Sequence, residues 1–255
     1  MEQKNRAAYM TAVGRMEIRE SPMPAVRAGE IILKVEYVGV CGSDVHFFET
    51  GIRKGKPFRL PFILGHECAG IVAKIGAGVK SLKVGDRVCF EPQITCGKCV
   101  YCRSGHYNMC PDVVFPSTPP YDGMLRDYVA IPAENAFKLP DGISTKEGAL
   151  IEPLAVGLSA AEKGEVSLGK TVVILGAGCI GLVTMMACKA MGASQVIMTD
   201  LYAARLEHAL KLGADAVINA SEEDTVQKVM ELTNGEGADV VFEAARNDIT
   251  ASQTA

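Results

Sequence analysis

The sequence has no surplus of positive charge: across 255 residues, 26 Lys and Arg face 30 Asp and Glu, for a net charge of −4. That leaves no basic field for nucleic acid or an anionic membrane surface. The N-terminus, Met1 to Met10, lacks the apolar core of a secretory signal, so the cytoplasm is the expected location. Internal repeats and low-complexity tracts are also missing, which excludes solenoid and collagen-like architectures. Long apolar runs are scarce. Thr171 to Cys188 is an uncharged stretch of 18 residues, close to the length of a spanning helix. It holds Gly176, Gly178 and Gly181 within six residues, and it reads better as strand, turn and helix than as a membrane span.

What is present describes a soluble globular protein, with 48% apolar and 22% charged residues and enough length for two domains. The first 150 residues read as short strands broken by turns. Ile31 to Val38 and Gly70 to Ile75 are strand-like, and Gly76-Ala77-Gly78 and Val84-Gly85-Asp86 carry turn chemistry. This half is expected to be all β. Beyond Glu152 the pattern becomes alternating. Strands are predicted at 171–175, 196–199, 216–218 and 239–242, and helices at 179–191 (Gly192 as C-cap), 203–212 and 222–233. Such alternation implies a parallel sheet with crossover helices.

The nine cysteines are unevenly placed, seven of them between Cys41 and Cys110. Cys96, Cys99, Cys102 and Cys110 follow C-x2-C-x2-C-x7-C, a spacing that suits a closed tetrahedral zinc site. An iron–sulfur cluster could use the same four thiolates. Disulfides are the plainer alternative, although such close spacing strains neighbouring pairs. A second set is more dispersed: Cys41-Gly42-Ser43-Asp44-Val45-His46, then Gly65-His66-Glu67, then Glu152. Thiolate, imidazole and carboxylate are all competent zinc ligands, and a catalytic zinc takes three plus an open position. Taken singly, Cys41 reads as a core residue, His66 as a hydrogen-bonded structural histidine and Glu152 as a helix N-terminal acid. Their coincidence with the cysteine lobe and a nucleotide motif favours the metal.

That motif is Gly176-Ala177-Gly178-Cys179-Ile180-Gly181, a match to G-x-G-x-x-G after a predicted strand and before a predicted helix. The first glycine permits the turn, the second admits a pyrophosphate, and the third lets helix and strand pack closely. Asp200 follows 19 residues after Gly181, where a carboxylate accepts the ribose hydroxyls of NAD and repels the 2′-phosphate of NADP.

From about Tyr9 to Ala245 these residues resemble the zinc-containing medium-chain alcohol dehydrogenases. Glu152-Pro153-Leu154-Ala155 and Phe115 to Gly123 (FPSTPPYDG) resemble the polyol (sorbitol/xylitol) branch, and threonine dehydrogenases are the nearest competitor. The resemblance implies a fold of class α/β plus β: a GroES-like β-barrel catalytic domain over residues 1–152, then a partial Rossmann doubly wound sheet binding NAD over 153–255. It implies a catalytic zinc on Cys41, His66 and Glu67, with Glu152 binding directly or through water, and a structural zinc on the four lobe cysteines. Ser43 and His46 match the proton-relay positions, Asp44 orients a zinc ligand, and Phe115, with Ser43 and Glu152, lines the substrate pocket. Gly176, Gly178, Cys179, Ile180, Gly181, Asp200 and Arg205 would hold the NAD. The implied reaction is zinc-assisted hydride transfer from a polyol to NAD+, with Ser43 passing the proton outward, in a homotetramer or homodimer that binds neither nucleic acid nor membrane.

Two features depart from the family. The chain stops after the fourth strand of a domain that needs about six, so it is expected to be truncated, without the part that covers the nicotinamide and supplies a substrate-contacting Arg. Arg246 stands where the family commonly has Gly. A rival expectation is therefore an inactive fragment that only binds zinc. A pure zinc-binding interaction module would leave the glycine turn and Asp200 unexplained.

Overall fold

Short apolar runs bounded by glycine turns become antiparallel strands in the first of two units into which the chain divides, Met1–Glu152 and Pro153–Ala255. The computed structural model describes residues 4–245 and 248–253. Arg246, the expected departure from glycine, lies outside the described residues.

In the first unit the elements are β1 (Asn5–Ala12), β2 (Arg15–Ser21), β3 (Glu30–Gly39), α1 (Gly42–Thr50), the two-residue strands β4 (Ile52–Arg53) and β5 (Lys56–Pro57), β6 (Phe62–Ile63), β7 (Glu67–Ile75), β8 (Arg87–Phe90), α2 (Val100–Arg103), β9 (Tyr128–Pro132), β10 (Ala136–Lys138) and α3 (Thr145–Gly148). They form a three-stranded sheet in the order β2-β1-β6 and a five-stranded antiparallel sheet in the order β10-β8-β7-β3-β9. Strict alternation would bury every second residue of β3, yet Ile31, Ile32 and Leu33 are all buried. The register shift against β7 between Ile32 and Leu33 accounts for this, since a bulge reorients the strand locally. Ile31, Leu33, Val72, Val88, Phe90 and Ile131 pack together at the centre of this unit. Each fully buried aliphatic there contributes about 1.5–3 kcal/mol.

The expectation of an all-β first half needs correction, because α1 interrupts it directly after β3. Its start is chemical rather than periodic: the Asp44 carboxylate accepts the Cys41 N–H at 3.1 Å and closes the first turn, and Gly51 ends the helix with φ 64°. No apolar stripe announces such a helix.

The helix α4 (Ile151–Lys163) begins at the end of the first unit, and the second unit continues with β11 (Thr171–Leu175), α5 (Cys179–Ala190), β12 (Gln195–Asp200), α6 (Ala203–Lys211), β13 (Ala216–Asn219), α7 (Thr225–Leu232), β14 (Val240–Glu243) and α8 (Asp248–Ser252). Its four strands are parallel and run in the order β13-β12-β11-β14. The alternating faces are both covered. Val172, Ile174, Val196 and Met198 pack against Met185, Leu206 and Ala209 on one side. Val173, Leu175, Ile197 and Ile218 pack against Val229 and Leu232 on the other. The chain moves outward from β11 to β13 and then returns to β14 on the other side of β11, so a topological switch point lies beside the C-terminal end of β11.

The uncharged run 171–188 is split between β11 and α5, and among the described residues no helix is long and apolar enough to cross a membrane. Two helix ends differ from expectation. Met191, not Gly192, is the C-cap of α5, and Gly192 follows in the left-handed region with φ 97°. The helix foreseen from residue 222 begins at Thr225, because the Asp224 side chain accepts the Gln227 N–H at 2.8 Å and sets the N-cap there.

Candidate metal and cofactor sites

Pairing of β3 with β7 brings distant residues together. Gly39, the last residue of β3, sits opposite Glu67, the first of β7. The chain leaving β3 therefore places Cys41, the N-cap of α1, beside His66 and Glu67 at the entry to β7. One ligand atom each from Cys41, His66 and Glu67 lies within 4.8 Å of the others, with His66 and Glu67 buried. Gly39 makes room for this: a Cβ on it would lie 2.1 Å from Glu67 Oε2. Sequence reasoning passed over Gly39, since nothing in a strand-end glycine names the side chain opposite it.

Behind the three stands Asp44, itself buried. Its Oδ2 accepts the Cys41 N–H at 3.1 Å. Its Oδ1 accepts the Gly65 N–H at 3.1 Å and the Ser117 hydroxyl at 2.6 Å. The same Oδ1 is 3.7 Å from His66 Nδ1, a buried atom with no hydrogen-bond partner among the described residues. Ser117 also escaped sequence reasoning, because its role depends on a positive φ of 65° that no residue type signals.

The electrostatics of the cluster suit a cation. Burial raises the Glu67 carboxyl above its usual range, against the pull of His66. Burial likewise raises Glu152, again opposed by His66. Burial alone would depress the His66 imidazolium, but Asp44 and Cys41 lift its pKa to about 10. Burial also works against the Asp44 carboxylate, yet His66 and Ser117 hold it below the ordinary range. A thiol and several carboxyls share one imidazole in a desolvated site, an arrangement that a divalent cation with Cys, His and Glu ligands would neutralise. The donor set fits zinc.

The remaining predicted residues of this unit lie around the cluster with differing closeness. The Phe115 ring meets the His66 ring edge-on at 5.4 Å between centroids. Glu152, in the first turn of α4, falls outside the group whose ligand atoms are within 4.8 Å, although His66, Glu67 and Asp44 all act on its charge. Ser43 and His46 are both half-buried on α1, and among the described residues no hydrogen bond joins them.

The lobe cysteines converge as well. Cys96, Cys99, Cys102 and Cys110 each present a sulfur within 4.8 Å of the others. The Cys99–Cys102 and Cys96–Cys102 sulfurs are 3.4 and 3.9 Å apart. Zinc–sulfur bonds of about 2.3 Å in a tetrahedron put sulfurs about 3.8 Å apart, whereas a disulfide needs about 2.05 Å. Backbone N–H groups are turned inward. Cys99 Sγ accepts from Cys102 N and Cys110 Sγ from Cys96 N, both at 3.4 Å. The Lys98 and Cys99 N–H groups lower the Cys96 thiol to about 7, favouring the thiolate that a metal needs.

In the second unit the glycine turn joins β11 to α5. Gly176 has φ 110°, and a Cβ on Gly181 would lie 1.9 Å from Gly176 O. Gly178, the N-cap of α5, faces open space, with Cys179 and Ile180 opening the helix after it. Asp200 ends β12. Its carboxylate accepts the Ala177 N–H at 2.9 Å and the Tyr202 N–H at 3.0 Å. Arg205 is 3.4 Å from Asp200 and lies 5.0 Å over the Tyr202 ring. Gly176, Gly178, Asp200, Leu201, Tyr202 and Arg205 help to line a cavity of about 390 Å³. It lies at the carboxyl ends of the strands, where doubly wound sheets bind ligands.

Comparison with known proteins agrees with both halves of this description. Residues 27–141 match the alcohol dehydrogenase GroES-like domain, and residues 179–255 match the zinc-binding dehydrogenase domain. The sorbitol dehydrogenase of Bacillus subtilis strain 168 is 44% identical over 96% of this chain and 69% of its own length. A solved Escherichia coli oxidoreductase/dehydrogenase of unknown specificity, involved in membrane biogenesis, is 46% identical with a TM-score of 0.94, covering 99% of this chain and 73% of that one. A Sinorhizobium meliloti 1021 protein solved with NADP is 31% identical with a TM-score of 0.89, over 99% of this chain and 73% of that one. A GroES-like unit and a Rossmann-like parallel sheet, matched at this identity along nearly the whole chain, place it in the zinc-dependent medium-chain alcohol dehydrogenase family.

Proposed function

We propose that the chain carries the zinc and cofactor machinery of an NAD-linked polyol dehydrogenase, oxidising a secondary alcohol of the sorbitol or xylitol type. The observation that carries this reading is the donor set of the first unit. Cys41, His66 and Glu67 converge, and Glu152 rather than another thiol stands near them. The 44% identity to a sorbitol dehydrogenase supports the polyol class. Asp200 supports NAD over NADP, because a carboxylate at the ribose repels a 2′-phosphate. We further propose a cytoplasmic homo-oligomer, dimer or tetramer, that binds neither nucleic acid nor membrane. The net charge of −4 agrees with the latter.

Cys41, His66 and Glu67 would hold the catalytic zinc, with Glu152 as a direct or water-mediated fourth donor, and Cys96, Cys99, Cys102 and Cys110 would hold the structural one. Bound zinc supplies Lewis-acid polarisation of an alcohol oxygen and lowers its pKa. Ser43 would accept the alcohol's hydroxyl proton at its Oγ while releasing its own toward His46 or solvent. Phe115 gives the pocket an apolar wall that keeps water from the reacting carbon. In the second unit Gly178, Cys179 and Ile180 offer N–H groups at the start of α5 to the pyrophosphate, and Asp200 and Arg205 address the adenosine ribose. Bound NAD would supply the hydride-accepting chemistry.

The test is NAD+ reduction by the zinc-loaded chain with sorbitol, xylitol, threonine and simple primary alcohols. Turnover with a polyol supports the assignment. Turnover with threonine alone replaces it with a threonine dehydrogenase reading. No turnover from a folded chain holding both zincs assigns these residues to metal binding only.

A further inference from the structure

We propose that Ser117 is a positioning residue for the Cys41–His66–Glu67 cluster, one that couples the wall bearing Phe115 to the carboxylate behind His66. The inference rests on the metal-site reading above and adds to it a residue outside the donor set.

Ser117 is 1% exposed and holds φ 65°, a conformation that side-chain-bearing residues seldom adopt. Its hydroxyl works in both directions. It donates to Asp44 Oδ1 at 2.6 Å and accepts the Gly65 N–H at 2.8 Å. Gly65 N–H is shared, since it also reaches Asp44 Oδ1 at 3.1 Å. Three segments that meet only in the fold are thereby tied: the α1 N-terminus through Asp44, the residue before His66, and the loop two residues after Phe115. The oxygen that Ser117 engages is the one facing His66 Nδ1 at 3.7 Å, while Asp44 Oδ2 is occupied by Cys41 N–H. Together with the Gly65 and Cys41 N–H groups, the hydroxyl therefore fixes how the Asp44 carboxylate is turned toward the imidazole. Groups that bond a metal ligand directly change metal affinity by about 10–100-fold when lost, and Ser117, acting one contact further out through Asp44, falls at the lower end of that range. The Phe115 ring rests on His66, so the same loop sets the pocket wall.

The test substitutes Ser117→Ala and Ser117→Gly and follows cobalt(II) binding by absorption, with turnover measured separately. Glycine accepts φ 65° freely, so Ser117→Gly removes the hydroxyl without backbone strain. Cobalt in a tetrathiolate site and cobalt in a mixed Cys/His/Glu site absorb differently, so each centre is followed on its own and the cysteine lobe reports that the unit is folded. The expected result is about tenfold weaker cobalt binding at the mixed site in both variants, with the lobe unchanged. Cobalt binding at the mixed site in Ser117→Gly equal to that of the parent chain overturns the role of Ser117 and leaves the metal site standing. A parent chain that takes up cobalt in the lobe alone overturns the metal-site reading itself, and the role of Ser117 with it.

Discussion

The two donor clusters of the first unit reach similar ligand convergence by opposite means. The lobe draws Cys96, Cys99, Cys102 and Cys110 from one short stretch, and its sulfurs are held by N–H groups of the same loop. Three of its four cysteines are only partly buried. The Cys41–His66–Glu67 cluster draws on two separate segments joined by the β3–β7 ladder, and it is buried around an Asp44 network reaching to Ser117. A local cluster of this sort needs its metal to hold a loop together. A long-range buried cluster needs the fold to hold the metal. The first should therefore answer to mutation chiefly in stability, and the second chiefly in chemistry.

Cys41→Ser should break the second cluster with the largest effect. Loss of Lewis-acid stabilisation, worth several kcal/mol, predicts a fall in turnover of at least about 10³-fold. Metal analysis should find one zinc fewer per chain, with the lobe zinc retained, and melting should change little. Retained turnover in Cys41→Ser would remove this residue from the site. Cys102→Ser should behave in the reverse sense. A structural zinc contributes about 10–16 kcal/mol through four ligands, so one ligand accounts for roughly 3 kcal/mol. That corresponds to a melting temperature lower by roughly 6–12 °C, read by calorimetry. Substantial turnover should survive at temperatures where the variant remains folded. If Cys102→Ser lost activity without losing stability, the division between the two clusters would collapse.

Gly39→Ala sharpens the comparison, because Gly39 itself supplies no ligand atom and no reacting group. The added methyl would lie 2.1 Å from Glu67 Oε2, so the carboxylate must turn away. Metal affinity at the mixed site should fall about 10–100-fold, as when a supporting group is lost. Titration against a chelator checks this, and unchanged affinity would mean that Glu67 has another conformation available.

The same contrast explains how much was legible in the sequence. The parallel sheet follows from alternation of strand and helix, and the G-x-G-x-x-G turn falls where its flanking elements require. The lobe is legible because all its chemistry lies within one loop. The other cluster offers only scattered residue types, each with an ordinary structural explanation, and it is legible only through their coincidence with the lobe and the nucleotide motif and through the family resemblance. Gly39 and Ser117 stayed hidden for a physical reason. One matters for a side chain it does not carry, and the other for a backbone angle imposed by its surroundings. The helix α1 was missed for a related cause, since Asp44 starts it while also serving the site.

The smallest effect concerns the cofactor, where a local turn works with one distant carboxylate. Asp200 is held by the N–H groups of Ala177 and Tyr202 and sits 3.4 Å from Arg205. While that carboxylate is present, Arg205 is engaged by it and a 2′-phosphate would meet a negative charge. Asp200→Ala removes the repulsion and frees the guanidinium, so the ratio of kcat/KM for NAD+ over NADP+ should fall about tenfold, a change of about 1.4 kcal/mol. Asp200→Asn separates the two causes. It removes the charge but leaves an oxygen to accept one of the two N–H groups, so it should shift the ratio by a similar factor while holding the loop closer to its parent shape. A ratio unmoved in both variants would show that Asp200 serves only to close the turn through Ala177 and Tyr202. The preference for one cofactor would then have to come from the rest of the cavity.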